Sequence, residues 1–456
     1  MITTLAVFMV SLDATVVVAV FPALRQTFAG APDWMLSWIL NAYTIVYAAL
    51  LIPAGRWGDG WGHRRSFLTG LAVFTLSSGW CALAPSVGWL IGGRIVQAVG
   101  AALLTPAALA LALEVFPAQK RPFVVGLWSA IGAMAATFGP AAGSWLVDLT
   151  TWSAIFWINL PVGLLAWGMG AWMLPVRSAP WRAAAADVAG SILLIAGAGT
   201  VCLGIVRLPN ADAQTTLETL LFGAGLLVVF AIRARRHPLT ARDFSIFNNR
   251  NVVLANAATL LFGAAFGMIF LSFFSFTTGV WRFSQSLAGL AAVPGPLLVV
   301  PCAVLAGRLA VSWGQRPLLL AGGLLFAAAH LWYLLRVTEQ PAYLGTWLPG
   351  QLVTGMAIGL VLPSLTSQAL AGLAAERLGF GSAVNSAFRQ MGGAAGVAVT
   401  VAFLAHEGLT LPAFRVIYLL LFSCGLGVVA LALGIKRTEN PEKITQVVET
   451  RFAQTT

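Results

Sequence analysis

Gly55 to Arg65, GRWGDGWGHRR, is a short basic turn between two long apolar runs, and it has an echo 252 residues later in Gly307 to Arg316, GRLAVSWGQR. Gly55, Arg56, Trp61, Gly62 and Arg64 recur as Gly307, Arg308, Trp313, Gly314 and Arg316, again with an apolar run on each side. A second echo pairs Gly139-Pro-Ala-Ala-Gly143 with Gly392-Gly-Ala-Ala-Gly396, and a third pairs Gly93, Val96 and Pro106 with Gly350, Val353 and Pro363. Three motifs in the same order at nearly constant spacing indicate a duplicated chain. In a membrane-embedded chain, repeated halves point to a secondary transporter with its site between them.

Composition places the chain in the membrane. Of its 456 residues 59% are hydrophobic and only 9% charged, with a mean hydropathy of +0.88, against about 25% charged residues in soluble proteins. No positively charged segment precedes the first apolar run, and Asp13 interrupts that run, so a secretory signal is not expected. Met1 leads almost directly into it, which leaves open that the chain begins inside a longer one. The net charge of +11 suggests nucleic acid or anionic lipid, but its distribution argues otherwise. Nineteen of the 26 Lys and Arg residues fall in connections on the side of the Gly55 turn. Five lie on the opposite side (Arg25, Arg207, Arg282, Arg336 and Arg415), and Arg94 and Arg389 fall within apolar runs. That asymmetry is the positive-inside pattern, and it requires no nucleic-acid partner. Cys81, Cys202, Cys302 and Cys424 all lie in apolar runs without metal-ligand spacing and read as buried thiols.

A membrane span needs about 20 apolar residues. Spans are expected at 4–24, 35–54, 66–84, 88–111, 123–147, 154–174, 188–206, 217–233, 252–277, 286–306, 317–336, 347–369, 381–404 and 413–435. The expected fold class is an all-α integral membrane protein of fourteen helices, with both ends on the basic, cytoplasmic side. Residues 1–175 make one six-helix bundle and 251–435 a second, with an inserted helix pair and its linkers at 176–250 and a polar tail at 436–456. The Arg233–Asn251 connection is the most basic and is expected to lie along the cytoplasmic headgroups.

Asp13, in SLDATVVVAVFP, is the only carboxylate deep within an expected span. An ionised Asp at the bilayer centre costs about 2.5–3.5 kcal/mol on insertion scales, so such a residue faces the bundle interior. It is either a group that trades a proton for a cationic ligand or an acid hydrogen-bonded only for packing. Arg94, in GRIVQAVGAALLTP, has Gln97 one turn later on the same face. It either snorkels to the outer interface or points inward beside Asp13. Gly132, Gly139, Pro140 and Gly143 mark the fifth span for close helix approach and a flexible point. Asp59, beside Arg64 and Arg65, has no acidic counterpart in the second turn, where Val311 stands, and is a candidate cytoplasmic latch. Asn385, Arg389 and Gln390, in NSAFRQMGG, and His330, in AAAHLWYLL, are further polar residues within spans and candidates to line a cavity; a lone His there is more often a hydrogen-bonded packing residue than a proton site. Trp38, Asn41, Tyr43 and Tyr47 in the second span are candidates to line a greasy cavity.

No phosphate-binding G-x-x-x-x-G-K-[ST] loop, catalytic triad pattern, metal-ligand cluster or pore filter appears. Neither ATP-driven transport nor enzymatic activity is expected.

SLDATVVVAVFPAL, GRWGDGWGHRR, GRIVQAVGAAL, GAMAATFGPAAG, WSAIFWINLPVG and NSAFRQMGGAAG together resemble the motif series of the major facilitator superfamily. They are most similar to its fourteen-spanner drug:proton antiporter branch of QacA-like and EmrB-like exporters. The resemblance covers almost the whole chain. It implies that Asp13 is the proton and substrate-cation site, that Arg94 assists coupling, and that Gly139, Pro140 and Gly143 govern alternation. Gly60 stands where a basic residue is usual, Ser153 where Arg is usual, Val18 where Asn is usual, and Ser144 follows Gly143 in place of a second Gly. With no second intramembrane acid, the expected cargo is a monocationic or neutral amphipathic compound, exported by alternating access on a proton gradient without a cofactor. The expected partners are cargo, protons and membrane lipids, and the expected setting is a bacterial cytoplasmic membrane, as a monomer. A lipid or envelope-precursor flippase and a dedicated metabolite exporter or facilitator on the same scaffold are the alternatives.

Overall fold

The computed structural model describes residues 2–31, 33–175, 188–207, 212–236, 245–374 and 377–436. Helix occupies each of the fourteen stretches expected to span, and no strand occurs among the described residues. Nine helical stretches there are long and apolar enough to cross a membrane on their own. The Pro175–Asp187 connection apart from Pro175, residues 237–244 of the Arg233–Asn251 connection and the tail beyond Lys436 lie outside the described residues.

The first half comprises α1 (Ile2–Ala19), α2 (Phe21–Thr27), α3 (Asp33–Trp61), α4 (His63–Ala82), α5 (Val87–Val115), α6 (Arg121–Leu149), α7 (Ala154–Trp157) and α8 (Asn159–Met173). The inserted pair is α9 (Val188–Arg207) and α10 (Ala213–Arg236). The second half comprises α11 (Arg250–Ser275), α12 (Gln285–Ala292), α13 (Pro294–Trp313), α14 (Gln315–Arg336), α15 (Leu348–Leu370), α16 (Leu378–Glu407) and α17 (Leu411–Gly434). Prolines explain where expected spans split. Pro22 opens α2 and Pro294 opens α13, each lacking the N–H that would continue the preceding helix. Pro53, Pro106, Pro301 and Pro363 remain inside helices, as membrane bundles allow.

The sequence echoes are structural equivalents. Gly62 ends α3 with φ +100° and Gly314 ends α13 with φ +77°. Only glycine adopts that left-handed backbone at no steric cost, so each turn reverses the chain on a single residue. Gly93 on α5 abuts Cys81 of α4, and Gly350, just inside α15, abuts Tyr333 of α14. Gly139 and Gly143 on α6 press on Thr15 and Val16 of α1, while Gly392 and Gly396 on α16 press on Leu260 and Ala264 of α11. The glycine stripes therefore seat the first helix of each half.

Gly55 and Gly307 face across the molecule rather than within their halves. A Cβ at Gly55 would stand 2.5 Å from Ala383 Cβ and 2.8 Å from the Gly379 carbonyl oxygen of α16. Gly307 approaches Gly126 of α6, where a Cβ would lie 2.6 Å from the Ala303 carbonyl oxygen. Both crossings sit at the basic end, where the two halves are in contact. Asp59 reinforces the first. Its carboxylate accepts from the Gly379 and Phe380 amides at 3.1 and 2.9 Å, the positive end of the α16 dipole. His63 sits behind it, with Nε2 2.8 Å from Asp59 Oδ1 and Nδ1 2.5 Å from Glu114 Oε1 of α5. The expected latch at Asp59 thus joins four helices. Arg64 instead donates to the Ala171 carbonyl at 2.7 Å, fastening α4 to α8, and Arg65 is exposed.

Burial pulls the His63 imidazole down, but hydrogen bonds to Asp59 and Glu114 and the charges of both outweigh it, pushing the group up to about 9 from 6.5. A raised imidazole stabilises the structure fully below about 6.5 and loses that contribution as pH climbs through about 9. Spin labels on Arg65→Cys and Ala374→Cys should therefore report a separating basic end as pH rises from 7 to 10, and His63→Arg should abolish that response. An unchanged response in His63→Arg would remove the imidazole from the latch. Separately, Gly139→Ala should lower stability by about 1–3 kcal/mol through overpacking against Thr15. Thermal unfolding of the purified variant checks this, with Gly168→Ala, where a Cβ meets nothing within 4 Å, as the control.

Candidate functional site

Four helices of the first half converge on Asp13. It is 4% exposed, and Arg94 and Gln97 of α5 are 1% and 0% exposed. Arg94 Nη1 donates to Asp13 Oδ2 at 2.5 Å and to Gln97 Oε1 at 2.6 Å, and its Nε donates to the Ile39 carbonyl of α3 at 3.3 Å. Gln97 Nε2 donates to Asp13 Oδ1 at 3.0 Å and to Ser78 Oγ of α4 at 2.7 Å. Asn159 Nδ2 of α8 donates to the same two oxygens, each at 3.0 Å. Both carboxylate oxygens are therefore engaged, and the fixed charges cancel in a tight pair. Arg94 points inward, and the alternative of an outer-interface position is not what the structure shows.

The α5 helix brings these groups together because Ser86 caps its start, accepting from the Trp89 amide at 3.3 Å, and Arg94 and Gln97 share one face. The guanidinium lies 4.1 Å from the Tyr43 ring centroid and 5.9 Å from that of Phe156. A desolvated cation gains most from such ring faces. Tyr43 stacks on Tyr47 at 5.7 Å, and Tyr47 donates to Thr105 Oγ1 at 3.1 Å. Across the seam, α3 packs on α16, the helix that carries Arg389 and Gln390.

The other expected site residues fall elsewhere. Gly132, Gly139 and Gly143 face α1, the helix that carries Asp13. Pro140 lies within α6 and Asn41 within α3, their side chains outside the described set, and Trp38 is half-buried on α3. Asn385 donates to Asn256 Oδ1 at 3.2 Å and Thr259 Oγ1 at 2.9 Å, so it ties α16 to α11. His330 is 1% exposed, donates from Nδ1 to the Phe326 carbonyl at 2.7 Å, and packs between the Phe326 and Tyr333 rings. It belongs to the aromatic core of the second half and has no acidic neighbour among the described residues. No group of His, Cys, Asp and Glu there could hold a metal ion. Sequence reasoning singled out neither Ser78 nor Asn159, which complete the Asp13 cage, nor His63 and Glu114, which complete the latch. Asn159 stands in a quoted motif, WSAIFWINLPVG, but only the folded chain shows which acid it serves.

Comparison with known proteins identifies the family. The family model described as Major Facilitator Superfamily matches residues 3–397. The multidrug resistance protein Stp of Mycobacterium tuberculosis is 31% identical over 408 residues, covering 88% of this chain and 75% of its own. The puromycin resistance protein pur8 of Streptomyces alboniger is 32% identical over 436 residues, covering 90% and 84%. Among solved structures, the human organic anion transporter MFSD10 shares the fold with a TM-score of 0.69 at 14% identity, over 94% of this chain and 98% of that one. The chain is a multi-pass membrane transporter that belongs to the major facilitator superfamily, and its relatives include multidrug and antibiotic resistance exporters of that superfamily.

Proposed function

We propose that this protein exports amphipathic small molecules in exchange for protons, with Asp13 as the group that takes the proton and the basic end facing the cytoplasm of a bacterial cell. The observation that carries the reading is the caged Asp13–Arg94 pair, whose acid is the only carboxylate deep within a span among the described residues, held by side chains of α1, α4, α5 and α8. The names of the resistance and export relatives support the direction of transport.

The cage suits a proton switch. Protonation of Asp13 removes the partner of Arg94 and leaves the cation with the Tyr43 ring, the Ile39 carbonyl and the Gln97 amide oxygen. A charge unpaired in a low-dielectric bundle is expensive, so the pair links proton occupancy to the arrangement of α1, α4, α5 and α8. Since α6 seats α1 through Gly139 and Gly143, a shift at Asp13 reaches the helix that crosses to α13 at the basic end. Alternating access then follows as the latch opens and closes. One charge moving down 100 mV supplies about 2.3 kcal/mol, or about fifty-fold accumulation.

The full chain reconstituted in liposomes should move ethidium or fluorescein against its gradient when a pH gradient is imposed, and a protonophore should stop it. Asp13→Asn should fall below about a tenth of the parent rate, because loss of general protonation chemistry costs tenfold or more. Gradient-driven uptake that survives in Asp13→Asn would falsify this assignment. His330→Gln, which alters only a core hydrogen bond to Phe326, should keep transport within about twofold of the parent under the same gradient.

A further inference from the structure

Every hydrogen bond that Asp13 makes through its carboxyl among the described residues is donated to it. Arg94 Nη1 serves Oδ2 at 2.5 Å, while Gln97 Nε2 and Asn159 Nδ2 both serve Oδ1 at 3.0 Å. Such a shell suits a carboxylate, which only accepts. A neutral Asp13 carries a hydrogen of its own, and these partners present only N–H groups to it. A buried O–H left without an acceptor is costly, so taking a proton requires one partner to change what it offers.

Which partner can change follows from what each already holds. Gln97 uses both ends of its amide. Its Oε1 accepts from Arg94 Nη1 at 2.6 Å, and its Nε2 also donates to Ser78 Oγ at 2.7 Å. Turning that amide over would set its NH2 against the Arg94 N–H. Arg94 itself has only donors. The other ionisable groups nearby are the Tyr43 phenol of α3, whose ring faces the guanidinium at 4.1 Å, and the Cys81 thiol of α4, which packs against Gly93. Neither is hydrogen-bonded to Asp13 among the described residues.

Asn159 is placed differently. Its Nδ2 donates to Asp13 Oδ1 and Ser78 Oγ, each at 3.0 Å, and nothing among the described residues donates to its Oδ1. Turning this amide over puts an acceptor where the donor stood. Ser78, fully buried, suits both arrangements, because a hydroxyl accepts in one and donates in the other.

We infer that Asn159 is the positioning residue for the neutral form of Asp13. Its amide turns as the proton arrives on Asp13 Oδ1, and its own Oδ1 then accepts from the Asp13 and Ser78 hydroxyls. The proton comes from the aqueous side to which the site is open, and no other covalent bond is made or broken. Asn159 opens α8, and about three turns on, the Ala171 carbonyl of that helix holds Arg64 at the basic end. The helix that meets the proton site is therefore anchored beside the latch. This inference rests on the reading of Asp13 as the proton site and adds the group that accommodates its neutral state.

Infrared difference spectra between high and low pH test it on the purified full chain, with asparagine side chains carrying 13C at the amide carbonyl. In the parent, the band of protonated Asp13 should appear together with a downshifted amide carbonyl, since a C=O that accepts two O–H donors vibrates lower. Asp13→Asn should abolish both changes, and Asn159→Leu should remove the amide change. An acid band without an amide change in the parent, or an amide change that survives Asn159→Leu, overturns the role of Asn159. Absence of any Asp13-dependent acid band removes the proton-site reading and this inference with it.

Transport in liposomes gives a second readout. Ethidium–ethidium exchange at equal pH never needs a neutral Asp13, whereas proton-driven accumulation does. Asn159→Leu should therefore lower accumulation about tenfold more than it lowers exchange, and Asn159→Gln, which keeps the amide, should recover part of the difference. Equal losses in both modes make Asn159 a structural tie and overturn the inference. An intact infrared change without proton-driven movement in the parent keeps the amide switch and removes antiport.

Discussion

A carboxylate and a guanidinium at the centre of a lipid-surrounded bundle can persist only if each satisfies the other. The Asp13–Arg94 pair meets this condition with three further donors and acceptors, Gln97, Asn159 and Ser78, each from a defined helix face. Removing one partner of such a buried pair typically costs about 3–5 kcal/mol, because the other charge is stranded. The arrangement of α1, α4, α5 and α8 is therefore tied to one hydrogen-bond network. The glycines of α6 matter to it because a side chain there would push α1, and Asp13 with it, out of register with Arg94.

The two halves share a backbone plan but not its chemistry. Gly62 and Gly314, Gly55 and Gly307, and the two glycine stripes hold equivalent places. At the position that echoes Arg94, the second half carries Gln351, which donates to the Ala291 and Ala292 carbonyls at 3.0 Å and meets no charge. Only the first half has an acid in its turn motif, and that acid binds the second half through the Gly379 and Phe380 amides. The halves thus share a frame of equivalent glycines, while the Asp13–Arg94 pair and the Asp59 contacts belong to the first half alone.

Much of this was legible in the chain. The echo of the Gly55 turn, the apolar runs and the lone acid at Asp13 are properties of spacing and polarity, which a membrane environment constrains tightly. The one-turn separation of Arg94 and Gln97 by itself places them on one face. Contacts between distant segments were not legible. Asn159 lies 146 residues from Asp13, and no local pattern says that they meet. His63 reads as one of several basic residues in a turn, and only the fold puts Glu114 of α5 behind it. His330 reads from the sequence more often as a hydrogen-bonded packing residue than as a proton site, and its bond to Phe326 and its aromatic neighbours fit the packing reading. Asn385 reads as a candidate cavity residue, and only the fold shows that its amide ties α16 to Asn256 and Thr259 of α11.

The inserted pair has a geometric effect of its own. Helix α9 packs on α10 and lies along both α3 and α16, with Gly199 set close to Ile45 of α3. It therefore lies along the flank where α3 of one half meets α16 of the other. No helix of the pair borders the opposite flank, between α6 and α13, among the described residues. The pair therefore covers one seam between the halves and not the other, which gives a structurally pseudo-symmetric protein a front and a back.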